Sequence, residues 1–96
     1  MEESQSITNT LLIEIDVLTN RIRNIRQSFK TTDNKSLKER LFSENKYILK
    51  RVIEIYKIAE LLNKNNTEKI NFSNLLLEIT ERTLYENKFE SNLFFL

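Results

Sequence analysis

The chain has 96 residues, 40% of them hydrophobic and 30% charged, with a formal net charge of +1. It holds no Gly, Pro, Cys or His. That removes the main helix breakers, disulfides and thiolate metal sites, and the commonest nucleophiles, proton shuttles and transition-metal ligands.

The composition is that of a folded, helix-rich chain, and near-neutral charge gives no global pull toward nucleic acid or anionic lipid. A single Ala among abundant Ile, Asn, Lys and Leu is the residue usage of an AT-rich genome, so part of the absence of Gly and Pro is codon bias. The length fits one helical domain over residues 1–96. No apolar run approaches the roughly 20 residues that span a bilayer. The opening Met1-Glu2-Glu3-Ser4 is unlike a signal peptide. The expectation is therefore a cytoplasmic protein with no membrane contact.

The first predicted helix runs from about Ser6 to Phe29. Leu11, Ile15, Leu18, Ile22, Ile25 and Phe29 alternate spacings of four and three, the heptad seam of helices packed at a shallow angle. Leu12, Ile13 and Val17 lie off the seam, which predicts contact with more than one neighbour. Lys30 to Lys35 breaks the pattern. Ser36-Leu37-Lys38-Glu39 then reads as a capping box, with Asp33 as an alternative cap.

The second predicted helix runs from about Ser36 or slightly earlier to Leu62. Its seam is Leu41, Asn45, Ile48, Val52, Ile55, Ala59 and Leu62, with Asn45 the one polar member, and Phe42, Leu49, Ile53 and Tyr56 form a second stripe. Two stripes predict two partners. The short turn makes the first helix one of them, packed antiparallel. The run Asn63 to Thr67 reads as the next stop, because Asn tolerates the left-handed conformation. A third, shorter helix is predicted from Asn71 or Ser73 to about Lys88 or beyond, carrying Phe72, Leu75, Leu76, Ile79, Leu84 and Phe89. The fold class is thus all-α: a long antiparallel helical hairpin plus a shorter third helix, in a three-helix, coiled-coil-like bundle.

Arg21, Arg23, Arg26, Lys30, Lys35, Lys38 and Arg40 gather at the predicted hairpin tip, opposed only by Asp33 and Glu39. Such a patch can meet phosphates or an acidic partner. It can equally pair within the fold with Glu81, Glu86 and Glu90, and no aromatic interleaves with it except Phe29 in the seam. Asn45 can fix register at a cost in stability, or sit where the seam frays. Glu78, Glu81 and Glu86 lack the His that bundle metal sites use, so no metal and no cofactor is expected. The C-terminal Phe94, Phe95 and Leu96, with Phe42, Leu49, Ile53 and Tyr56, form the candidate association surface.

The segment Ile13-Glu14-Ile15-Asp16-Val17-Leu18 resembles, in pattern, the start of the first helix of the small chorismate mutases. Those are three-helix chains that form intertwined dimers and hold a dianionic substrate with Arg and Lys. Here nothing before Arg21 is basic, the Arg-Glu order expected early in the second helix is inverted as Glu39-Arg40, and no Gln lies in the third. No residue is carried over from that resemblance. The expected function is non-enzymatic: protein–protein association as a self-assembling bundle, adaptor or accessory subunit. A homodimer and an unidentified protein partner are the expected partners. A nucleic-acid-associated regulator is the alternative, and a chorismate-mutase-like enzyme the distant one.

Overall fold

The computed structural model describes the backbone of residues 2–64 and 72–94 and the side chains of residues 6–64 and 72–87. Among these the chain forms three helices: α1 (Glu2–Thr31), α2 (Lys35–Lys64) and α3 (Phe72–Phe94). They pack pairwise into an all-α bundle, α2 most extensively against α3 and α1 least against α3. The 30 residues of α1 make a rod of about 45 Å at 1.5 Å per residue, which accounts for the 50 Å long axis. α1 starts four residues before the predicted Ser6.

The α1–α2 turn is tighter than the sequence suggests. Thr32 N–H donates to the Ser28 carbonyl at 3.1 Å and closes α1. Thr32 Oγ1 accepts from Asn34 N–H at 3.1 Å, and Asn34 Oδ1 accepts from Leu37 N–H at 3.1 Å. The Asn34 carbonyl takes the first bond of α2, from Lys38 N–H at 3.0 Å. Asn34 is therefore the cap, three residues before the N–H it satisfies. The predicted capping box at Ser36 and the alternative cap at Asp33 are both corrected by this geometry. Ser36 already sits inside the first helical turn. No described residue has positive φ, so the turn closes without the conformation that calls for Gly.

Both predicted seams form the core. Leu11, Ile15, Ile22 and Ile25 of α1 are buried against Leu41, Ile48, Val52, Ile55 and Ala59 of α2, with Leu18 and Phe29 half-buried beside them. Of the off-seam residues of α1, Leu12 packs on the core, while Ile13 and Val17 are 68% and 61% exposed. One flank of α1 thus gains a neighbour and its outer face does not.

In α3, among the described members of the predicted apolar set, Leu76 is fully buried, Phe72 and Leu75 are exposed, and Ile79 and Leu84 are half-buried; the side chain of Phe89 lies outside the described residues. The buried column is Ser73, Leu76, Thr80, Thr83 and Asn87, itself spaced alternately three and four. Thr80 Oγ1 donates to the Leu76 and Leu77 carbonyls at 3.0 and 2.9 Å. Thr83 Oγ1 donates to the Ile79 carbonyl at 2.9 Å, and Asn87 Nδ2 to the Thr83 carbonyl at 2.8 Å. Thr80, Thr83 and Asn87 thus each bond to a carbonyl of their own helix, which lets these side chains be buried. Half-buried Leu77, Ile79 and Leu84 supply the apolar shoulders that hold α3 down.

Candidate functional site

Two ion pairs cross the α1–α2 interface and fix its register. Arg51 donates from Nη2 to Glu14 Oε1 at 2.8 Å and from Nε to the other carboxylate oxygen. Arg21 donates from Nε and Nη2 to Glu44 at 2.6 and 2.8 Å. Both are bidentate, the strong geometry for this pair. The two bridges lie one heptad apart, and the polarity reverses: acid then base along α1, acid then base along α2. A one-heptad slip of the hairpin sets Glu14 beside Glu44 in one direction and Arg21 beside Arg51 in the other. Like charges oppose both slips.

The same contacts set the electrostatics. Hydrogen bonding from Arg51 holds the Glu14 carboxyl below its ordinary value of 4.5, against a smaller desolvation that raises it. Arg21 does the same for Glu44, with added attraction from Arg21 and Arg40 charge. Arg51 and Arg21 are raised in turn by their carboxylates. Tyr56 is raised above its ordinary 10.0, first by the charge of Glu60, then by burial, then by Glu81 of α3.

The basic cluster does not act as seven free cations. Arg21 is committed to Glu44. Lys38 Nζ stands 5.4 Å from the centre of the Phe29 ring, a cation–π contact. Arg26 is half-buried and engaged within the fold. Arg23, Lys30, Lys35 and Arg40 are exposed. Arg21 pairs with α2 and not with a carboxylate of α3, and Arg82 of α3 pairs with Glu78 on its own helix at 3.3 Å; the predicted partner Glu90 lies outside the residues whose side chains are described. Sequence reading missed Glu14–Arg51 and Arg21–Glu44. The signal was present in the same acid-then-base order, seven residues apart, beside each of two seams that run antiparallel.

Asn45 is 5% exposed, and its Oδ1 is buried with no hydrogen-bond partner. The fraying reading of Asn45 fails for that reason: water does not reach it. The other seam positions around it, Leu41, Ile48 and Val52, are buried and apolar.

The candidate association surface is divided by the fold. Phe42, Leu49 and Tyr56 are half-buried, and Ile53 is 41% exposed. Phe94, Phe95 and Leu96 lie outside the residues whose side chains are described. The exposed apolar residues that sequence reading placed elsewhere are Ile13 and Val17 on α1 and Phe72 and Leu75 on α3. Among the described residues no three acidic side chains converge as a metal site would require, and no helix is long and apolar enough to cross a membrane. The chain matches no family model, no curated protein and no solved structure.

Proposed function

We propose that this chain is a small cytoplasmic association module that works by presenting helix faces to other protein surfaces, without catalysis. The observation that carries the reading is the placement of exposed apolar side chains as neighbours on helix faces. Ile13 and Val17 stand one turn apart on α1, and Phe72 and Leu75 do so on α3. Isolated surface apolar residues are ordinary, whereas contiguous ones mark interaction sites. The residue inventory supports the non-catalytic part. Without His or Cys the side chains left for proton transfer are carboxylates, Lys and Tyr, and Glu14 and Glu44 are held ionised in structural ion pairs.

The test has two arms. Sedimentation equilibrium across micromolar concentrations reads self-association. Affinity enrichment with the wild type against Val17→Glu and Leu75→Glu reads unlike partners. A monomer at every concentration, together with no interactor lost in either variant, refutes the proposal.

A second reading, contact with nucleic acid through the hairpin tip, draws on the exposed Arg23, Lys30, Lys35 and Arg40. It requires duplex binding that weakens steeply with salt. Absence of binding to a DNA or RNA duplex at low salt removes it. A chorismate mutase assay at background rate removes the enzymatic reading in the same way.

A further inference from the structure

The face of α3 beside its buried column carries a second heptad. Phe72, Leu75, Ile79, Arg82 and Glu86 alternate spacings of three and four, so they form one stripe along the helix. Phe72 and Leu75 are 54% and 44% exposed, Arg82 and Glu86 are exposed, and Ile79 is half-buried. The sequence continues the spacing through Phe89 and Leu93, within the helical backbone that runs to Phe94. The stripe is thus apolar toward both ends, with one Arg and one Glu at its middle.

That order is self-complementary under a two-fold rotation. We propose that a second copy of this chain docks on the stripe, α3 against α3 and antiparallel, about an axis level with position 84. The inference rests on the association reading above and names its partner. In this register Arg82 of each copy faces Glu86 of the other, position 79 faces position 89, and position 75 faces position 93. Apolar positions meet apolar positions and each cation meets an anion, twice over, as an isologous interface demands.

The charges select this arrangement against its competitors. A parallel pairing sets Arg82 against Arg82 and Glu86 against Glu86, which is repulsive in both layers. Slipping the antiparallel pair by one heptad in either direction sets both charges against apolar positions, where they lose water without gaining a counter-ion. The one intramolecular bond that engages Arg82 is weak. Its partner Glu78 lies one turn away at 3.3 Å, and both side chains are about two-thirds exposed, the class of surface pair worth little. Arg82 can leave it for Glu86 of the second copy at small cost.

The full chain is tested by sedimentation equilibrium at micromolar concentration, with circular dichroism to confirm that each variant keeps its helices. Wild type sediments as a dimer. Arg82→Glu and Glu86→Arg each place like charges in the central layers and weaken the dimer by at least about tenfold, the usual scale for like-charge layers. An equimolar mixture of the two single variants restores the dimer, as does the double variant R82E/E86R in one chain.

Orientation is read by disulfide trapping, which is clean because the chain has no native Cys. A mixture of Ile79→Cys and Phe89→Cys cross-links between copies, and Ile79→Cys alone does not. A monomeric wild type overturns the proposal. A dimer unmoved by either charge reversal overturns the α3 interface and leaves the broader association reading standing. Self-cross-linking of Ile79→Cys overturns the antiparallel geometry.

Discussion

Replacing Asn45 with Leu should make the protein more stable. Leu repeats the branching of Asn, carbon for nitrogen and oxygen, so the side chain keeps its shape. The native Oδ1 is buried without a hydrogen-bond partner, and a buried unsatisfied group of this kind costs about 1–3 kcal/mol. The substitution removes that cost and adds apolar surface to a seam already formed by Leu41, Ile48 and Val52. Against it stands overpacking, because methyl groups are bulkier than the amide atoms, and overpacking costs about 1–3 kcal/mol where the core cannot adjust. The shared branching keeps that term toward its lower end. The net expectation is a gain of about 1–2 kcal/mol, or a rise of roughly 4–16 °C in Tm at ~4–8 °C per kcal/mol for a domain of this size. Urea melts and calorimetry read it directly. A loss of stability beyond about 0.5 kcal/mol, the range of neutral changes, refutes the reasoning, since it would mean that the carbonyl of Asn45 is satisfied in the folded chain.

Ile55→Ala should cost about 2–5 kcal/mol, as truncations at fully buried sites do, and Ile13→Ala less than about 0.5 kcal/mol; equal costs in denaturant melts would contradict the two burials. Thr80→Val should be neutral or stabilising by about 1 kcal/mol, because the hydroxyl bonds only to carbonyls of its own helix and such back-bonding adds little to helix stability. A clear loss there would show that the hydroxyl has a partner across the interface.

Stability should fall as pH drops below 4.5. Glu14 and Glu44 have folded values depressed below that figure, so their contribution is full above it and is lost as pH falls through the lower folded values. Both pairs are a third or more exposed, which limits the loss to about 0.2–1 kcal/mol for each pair. Melts of Glu14→Gln across the same range should show roughly half the slope, and an unchanged slope would detach the acid sensitivity from these bridges.

The helical hairpin was legible in the sequence because its determinants are local and periodic. Leu11 to Phe29 and Leu41 to Leu62 each carry a seam that only a helix can gather onto one face, and the polar break between them leaves the chain nowhere to go but back along itself. The third helix was legible in outline, and which of its faces turns inward was not. Phe72 and Leu75 look like core residues by hydropathy, yet the bundle buries Ser73, Thr80, Thr83 and Asn87 instead. Hydropathy counts a hydroxyl or amide as solvent-facing, while a helix can satisfy such a group from its own carbonyls one turn back and then bury it. Which stripe of α3 turns inward therefore depends on how it fits the groove between α1 and α2. The cap passed from Ser36 to Asn34 because Thr32 holds a three-residue turn that sets the Asn34 side chain on the Leu37 N–H. The cross-helix bridges Glu14–Arg51 and Arg21–Glu44 were visible only as unpaired charges until the two seams were set side by side. Periodicity along one chain specifies faces; which faces meet, and in what register, is settled by contacts between residues far apart in sequence.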